Sequence, residues 1–225
     1  AFFDKNCFLT LGYALDHKKA QDNDKGLNTG GMGSFSPSKK INLTLKKIIE
    51  KQIIKKTWQG LKEKKIEYNG ILFFGLMISD NKPYVIEYNV RFGDPECQTL
   101  LMNLKSDLLE IILATTQNKL KNKKIYNYKK STVSVVLASN GYPGIYKRNI
   151  LIQNLEKIKE TKNLKIFHAG TIKKQNKFYT SGGRVLSITV SDKDINTSRK
   201  RAYYVLKKLN WQGGFFRKDI GIKNY

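Results

Sequence analysis

The sequence predicts an α+β fold, and three features predict it: a long amphipathic helix over 42–67, an apolar hairpin directly after it, and a second group of strands and a helix beyond a charged connection. Residues 1 to about 15 alternate well enough to read as one strand. They run into a polar segment, Asp16-His17-Lys18 through Pro37, where glycines cluster between Gly26 and Gly33 and no packed element is predicted. From Asn42 to Glu67 the apolar residues Leu45, Ile48, Ile49, Ile54, Trp58 and Leu61 recur mostly at helical intervals, giving a stripe that should lie on a sheet. Two strands, 70–79 and 84–90, flank the turn Asp80-Asn81-Lys82-Pro83 and read as a hairpin. Asp94 is placed as the N-cap of a helix with Pro95 in its first position, and Asp107 as the cap of a second helix running to about Gln117. Segment 118–130 is charged and aperiodic, which suits a domain boundary or long connection. Beyond it, Thr132–Ala138, Lys165–Ala169 and Arg184–Val190 read as strands, and Asn196–Leu209 as a helix with Ala202, Val205, Leu206 and Leu209 on one face.

A chain of 225 residues with 40% hydrophobic and 11% aromatic content can bury a sizeable core, which excludes wholesale disorder. The longest apolar run, Gly70 to Ile78, is far short of the ~20 residues a membrane span needs, so a soluble protein without a membrane partner is expected. Ala1-Phe2-Phe3-Asp4-Lys5 shows neither a secretory leader nor an initiator Met, and a chain that starts inside a longer protein is expected. Cys7 and Cys97 are too few for a disulfide framework or a structural zinc site; they suit a reducing cytosol, and a cytoplasmic location is expected. The formal net charge is +24, from 36 Lys and 6 Arg against 18 acidic residues. Lys, Asn, Ile, Tyr and Phe share AT-rich codons, and the lysines are scattered as doublets rather than gathered in a block. Compositional bias and a solvated surface therefore explain the charge better than a nucleic-acid partner, which is not expected.

Two constellations could carry chemistry. In Glu87-Tyr88-Asn89-Val90-Arg91, strand alternation puts Glu87, Asn89 and Arg91 on one face. Carboxylate and amide oxygens are hard ligands of the kind Mg²⁺ prefers, and a neighbouring Arg could grip a phosphate oxygen. An exposed polar face holding a Glu–Arg pair has the same spacing, and spacing alone favours it. In Asn28-Thr29-Gly30-Gly31-Met32-Gly33-Ser34, adjacent glycines could turn backbone N–H groups toward an anion, with Asn28 and Thr29 adding side-chain partners. No Gly-Lys-[Ser/Thr] follows, so this is not a Walker loop, and the glycines alone favour a plain mobile loop. His17, beside Asp16, reads as a structural histidine or a proton shuttle, and His168 as a strand residue with a core or edge role.

Taken in order, longer strings are more specific. Asp16-His17-Lys18-Lys19, Asn28 to Gly33 followed by Ser36-Pro37, Ile86 through Glu96, Lys105-Ser106-Asp107-Leu108, Gly141 to Tyr146, Phe167 to Thr171, Ser181 to Leu186 and Arg217 to Gly221 together resemble the phosphoribosylamine–glycine ligase (glycinamide ribonucleotide synthetase) family. The resemblance implies the C-terminal portion of an ATP-grasp domain, an antiparallel sheet with packed helices, over 1–122, and a small α+β C-terminal domain over 123–225. It implies ATP-dependent ligation of glycine to 5-phosphoribosylamine through a glycyl phosphate, releasing ADP and phosphate, in purine biosynthesis. Carried onto this sequence it implies Glu87 and Asn89 as ligands of Mg²⁺ or Mn²⁺, Arg91 as the group that stabilises the transferred phosphoryl, and Asp16, Asn28, Thr29, Gly30 and Gly31 on the glycine and phosphoribosylamine side. The substrates ATP, glycine and 5-phosphoribosylamine are the implied small-molecule partners.

Family members carry an N-terminal domain and the first half of the ATP-grasp unit, with its nucleotide clamp, ahead of the position of Ala1. The chain is therefore expected to be inactive alone and to need that half, from a longer chain or from a second polypeptide. A non-catalytic remnant and a basic nucleic-acid binder are the alternatives. No carboxylate precedes Asp80 in 70–79, so the metal shell beyond Glu87 and Asn89 stays open.

Overall fold

The structure, a computed structural model, describes residues 1–222. In chain order its strands are β1 (Phe2–Phe3), β2 (Phe8–Leu9), β3 (Leu15–Asp16), β4 (Lys19–Gln21), β5 (Lys25–Asn28), β6 (Gly33–Ser36), β7 (Gly70–Ile71), β8 (Phe73–Ser79), β9 (Lys82–Asn89), β10 (Ser131–Ser139), β11 (Leu164–His168), β12 (Thr171–Lys174), β13 (Lys177–Thr180), β14 (Arg184–Asp192) and β15 (Gly214–Phe215). The α-helices are α1 (Leu43–Ile49), α2 (Lys55–Glu63), α3 (Glu96–Leu101), α4 (Leu108–Thr116) and α5 (Ile195–Leu209). They pack as two compact units that interleave along the chain. One takes residues 1–13, 39–93 and 104–128; the other takes 14–38, 94–103 and the chain from Lys129 onward.

In the first unit β1 pairs antiparallel with both β2 and β7. Residues 1–15 are thus not one strand, and the reason is Asp4. Its buried carboxylate accepts the backbone N–H groups of Asn6 and Cys7 at 2.8 Å each and of Leu120 at 2.9 Å, which reverses the chain after Phe3. The expected long helix is present but interrupted. Asn42 caps α1 by accepting from the Leu45 N–H at 2.8 Å, and a π-helical stretch over Glu50–Ile54 joins α1 to α2. Leu45, Ile49 and Ile54 remain buried across this irregularity, packed with Phe3 and Leu72 and flanked by Trp58, Leu61, Phe74 and Leu76. The expected strand 70–79 divides: Gly70 and Ile71 pair with β1, while β8 pairs with β9. Asp80 and Asn81 both have positive φ, +50° and +59°, the conformation of a two-residue hairpin turn. Asp107 caps α4, accepting from the Glu110 N–H at 3.1 Å, and the helix closes at Gln117 as the sequence predicts.

The second unit is built on an antiparallel sheet in the order β11-β14-β10-β6-β3, with β15 also on β10. All nine residues of β10 are buried, because α5 packs on the sheet and α3 contacts β6 and β10. The core gathers Val133, Val135 and Leu137 of β10, Leu186, Ile188 and Val190 of β14, and Ala202, Leu206 and Leu209 of α5. The 16–37 segment, expected to hold no packed element, supplies two strands of this sheet and the β4–β5 ribbon. Its Gly33-Ser34-Phe35-Ser36 run is buried throughout and pairs with β10 and β3, the Ser34 hydroxyl donating to the Pro95 carbonyl at 2.9 Å. Asp94 is not the N-cap of α3. The helix starts at Glu96 with Pro95 before it, and the Asp94 carboxylate is occupied elsewhere, by Arg184 and Gln98. Among the described residues no helix is long and apolar enough to cross a membrane.

Candidate active site

The first unit carries the strand face. Glu87 lies opposite Gly75 and Asn89 opposite Phe73, and the register slips between Gly75 and Leu76, so a bulge falls on the strand just before Glu87. Tyr88 turns to the other face, where its ring meets Phe74 edge-on at 5.3 Å and its hydroxyl lies 3.2 Å from Thr57 Oγ1 of α2. Glu87 and Asn89, both half-buried, thus share the face away from α2. Gly75 is what makes room there: a Cβ at that position would stand 2.6 Å from Glu87 Cγ and 3.2 Å from Oε1. Arg91 is exposed beyond the strand end, its Nη1 donating to the Phe92 carbonyl at 2.8 Å.

This face offers one carboxylate and one amide oxygen, both hard donors. No group of three or more His, Cys, Asp or Glu able to hold a metal occurs among the described residues. The pair therefore fits a cation of the Mg²⁺ or Mn²⁺ kind that takes its remaining ligands from water or phosphate oxygens, and does not fit a closed structural metal site.

The second unit carries the glycine loop, at the end of the β4–β5 ribbon. Thr29 anchors it, its N–H and its hydroxyl both donating to the Lys18 carbonyl at 2.8 Å. The Gly30 N–H donates to the Tyr142 hydroxyl and the Gly31 N–H to Thr29 Oγ1, each at 3.0 Å. Arg184 Nη1 donates to the carbonyls of Gly30 at 2.9 Å and Asp94 at 2.7 Å, while Nη2 reaches Asp94 Oδ2 at 3.1 Å. The expectation that adjacent glycine N–H groups face an open anion site is thus met differently, because both are engaged inside the protein. Glycine is needed at 31 for another reason. Its φ is +116°, and a Cβ would stand 2.5 Å from Pro95 Cδ and 3.0 Å from Asp16 Oδ1. Asn28 is exposed at the end of β5, opposite Lys19.

Asp16 lies beneath this loop with both carboxyl oxygens buried and no hydrogen-bond partner, and Lys18 Nζ 4.0 Å away. Burial first, then the charge of Glu96, pushes Asp16 up to about 8, so it is largely protonated at neutral pH. Burial raises Glu96 as well. His17 packs on Phe35 with ring centroids 5.8 Å apart, and burial, then the Arg217 charge, pushes its imidazole down to about 4. A buried, neutral imidazole that ties β3 to the loop through its backbone has a structural role here. His168 ends β11, an edge strand of the sheet, with Nδ1 2.9 Å from Thr171 Oγ1.

The structure therefore groups Glu87, Asn89 and Arg91 in one unit and Asp16 with residues 28–31 in the other. Arg184, Tyr142 and Asp94, which contact the loop, and Glu96, whose charge acts on Asp16, are given no such role by sequence reasoning. One signal was available: in a chain with six Arg among 36 Lys, an Arg marks a position where a planar fork is used.

Two family models match in tandem: the ATP-grasp (A) domain of phosphoribosylglycinamide synthetase over residues 1–97 and the C domain of the same synthetase over 132–223. The chain is 43% identical to the chloroplastic phosphoribosylamine–glycine ligase of Arabidopsis thaliana over 98% of its own length and 42% of that protein's. The crystal structure of the phosphoribosylamine–glycine ligase from Thermotoga maritima superposes with a TM-score of 0.84 at 32% identity, covering 97% of this chain and 53% of that one. A biotin carboxylase domain from Hydrogenobacter thermophilus, in complex with MgADP, shares the fold at 13% identity and a TM-score of 0.61, over 92% of this chain and 43% of that one. The chain spans about half the length of the curated relatives it matches. With both domain models matched in order and the fold shared throughout, the chain belongs to the phosphoribosylglycinamide synthetase, or phosphoribosylamine–glycine ligase, family.

Proposed function

We propose that this chain carries the metal-binding end of the ATP-grasp site and the C domain of an enzyme that joins glycine to 5-phosphoribosylamine at the expense of ATP. The observation that carries the reading is the tandem match to two domains of a single synthetase, on a strand that holds Glu87 and Asn89 side by side. The family boundary is proposed at 122/123, inside the interval between the two matched ranges. Glycine's carboxylate accepts the γ-phosphoryl of ATP, giving glycyl phosphate and ADP. The amine of phosphoribosylamine then attacks the acyl carbon, the C–N bond forms, phosphate leaves, and the amine gives up a proton.

Glu87 and Asn89 would hold Mg²⁺ or Mn²⁺, which when bound neutralises phosphate charge. Arg91, exposed next to them, is free of any carboxylate pairing among its described contacts and presents a fork to a phosphoryl oxygen. Asp16 and residues 28–31 would line the glycine and phosphoribosylamine side. There the clamp made by Tyr142 and Arg184 fixes the loop before substrate arrives, so that catalysis rests on positioning. A cytoplasmic location is part of the proposal, supported by two unpaired cysteines. So is a polypeptide partner or continuous segment supplying the rest of the family's length, supported by the half-length coverage.

The test is ADP formation dependent on ATP, glycine and phosphoribosylamine together, measured on the chain with and without the missing half of the family's length. Turnover should appear only with it. Glu87→Gln should then abolish metal-dependent turnover, and a variant that keeps full metal-dependent ADP formation would sink the metal assignment.

A further inference from the structure

Among the described residues Arg217 is the largest by volume of the fully buried side chains, 1% exposed, and no step of the proposed reaction uses it. Its guanidinium makes four charge-assisted contacts. Nε and Nη2 grip the two oxygens of Asp219 at 2.7 Å each, Nη2 also meets Asp24 at 2.9 Å, and Nη1 donates to the Lys19 carbonyl at 3.1 Å. Two backbone bonds reinforce the connection: the Asn23 N–H donates to Asp219 at 2.9 Å and the Lys218 N–H to Asp22 at 2.7 Å. The 217–220 segment is itself fastened to α5, where the Tyr203 hydroxyl donates to the Arg217 carbonyl at 2.6 Å and Arg199 Nη2 to the Lys218 carbonyl at 2.6 Å.

Of the ribbon residues these contacts reach, Lys19 begins β4 opposite Asn28, beside the glycine loop, whereas Asp22, Asn23 and Asp24 form the turn end of the β4–β5 ribbon. The opposite end of that ribbon is the glycine loop. A two-stranded ribbon is marginal by itself, so its position is set by what holds its ends. Tyr142 and Arg184 hold the loop itself, while the Arg217 clasp holds the turn end through Asp24 and reaches back along the ribbon to the Lys19 carbonyl. We propose that Arg217 is a positioning residue: by clamping Lys19, Asp24 and Asp219 it sets where the β4–β5 ribbon lies, and through the ribbon it orders the Asn28–Gly31 loop. The role in catalysis rests on the reading of that loop as the amine-substrate side, whereas the mechanical coupling does not. A lysine could supply the charge, but its donors sit on a single nitrogen and cannot reach Asp219, Asp24 and the Lys19 carbonyl from three separate positions, which makes the fork the operative feature.

Amide hydrogen exchange on the whole chain tests the coupling without activity. Asp24 is 58% exposed, so Asp24→Ala removes one arm of the clasp without opening a cavity, and Arg217→Lys removes the fork while keeping the charge. Each should speed exchange at Thr29 and Gly31 by roughly tenfold, the scale of one lost charge-assisted bond, while Val133 and Val190 in the central sheet stay within about twofold. If Asp24→Ala speeds the Asn23 amide but leaves Thr29 and Gly31 unchanged, the clasp is a local tie and the proposal is overturned. Uniform acceleration across the sheet as well would also overturn it, since that reports general destabilisation. In the complete enzyme, Asp24→Ala should raise KM for phosphoribosylamine with kcat held. Loosened loop amides with an unmoved KM would uphold the coupling and count against the assignment of the loop to that substrate.

Discussion

Replacing Asp16 with Asn should change the pH dependence of the second unit's stability in a defined direction. In the folded chain, burial and the Glu96 charge keep the Asp16 carboxyl protonated up to about pH 8, against an ordinary value of 3.8. Between those limits the folded state holds a proton that the unfolded state has released, so this group's contribution to stability falls as pH rises. His17 acts oppositely. Its imidazole titrates at about 4 when folded and at 6.5 when not, so the unfolded state binds the extra proton and stability rises with pH across that window, by about 3 kcal/mol at 1.36 kcal/mol per pH unit. The two slopes offset each other between about pH 4 and 6.5. From 6.5 to 8 the Asp16 slope stands unopposed by His17 and should lower stability by about 2 kcal/mol. Glu96, also raised, adds to the fall with the same sign. In Asp16→Asn the rise below pH 6.5 should emerge and most of the fall above it should vanish. Urea midpoints between pH 5 and 8, read from Trp211 fluorescence in a Trp58→Phe background, measure both limbs. A parent protein whose stability is flat or rising from pH 6.5 to 8, with an identical profile in the variant, would refute the argument that Asp16 is buried as a neutral acid.

Other substitutions follow from the same packing. Gly31→Ala forces a Cβ into Pro95 at a backbone φ of +116°, and should cost at least about 2 kcal/mol in urea unfolding. Ile188→Ala opens a hole in a fully buried strand position and should cost roughly 2–5 kcal/mol by the same assay. Asp194→Ala removes the cap that accepts the Thr197 N–H at 2.8 Å and should cost about 1 kcal/mol. The nearby surface pair of Arg201 with Asp192 should be worth less than about 1 kcal/mol in a double-mutant cycle.

What was legible in the sequence was whatever repeated with a period. The 42–63 helix, the β8–β9 hairpin, α4, α5 and the strands β10, β11 and β14 all announce themselves through apolar spacing or a capping aspartate. The misses have local causes. Phe2-Phe3 and Phe8-Leu9 look continuous until Asp4 is seen to collect three backbone N–H groups, a hydrogen-bond event with no hydropathy signature. Gly33-Ser34-Phe35-Ser36 reads as loop because its residues are small and polar, yet a strand buried on both faces can carry serines once Ser34 finds Pro95 O and Thr99 Oγ1. For the site, alternation alone paired Glu87 with Asn89. The protonated state of Asp16 and the Arg184 clamp depend on residues about 80 and more than 150 positions away, which no local pattern reports.

The interleaving of the two units sets a schedule for folding. Ser36 of β6 pairs across from Thr132 of β10, a partner made about one hundred residues later in synthesis, whereas Leu45, Ile49 and Leu72 of the first unit can meet once its first three-quarters of a hundred residues exist. Residues 14–38 must therefore wait, as a polar and glycine-bearing segment with little to aggregate through, until β10 arrives to receive them. Closing so long a loop adds only modestly to its free-energy cost, because that cost grows with the logarithm of length; the delay falls on the rate. A break at 122/123 would strip β3 and β6 from one side of β10 and leave a long apolar edge, so the two pieces should refold best when both are present from the start.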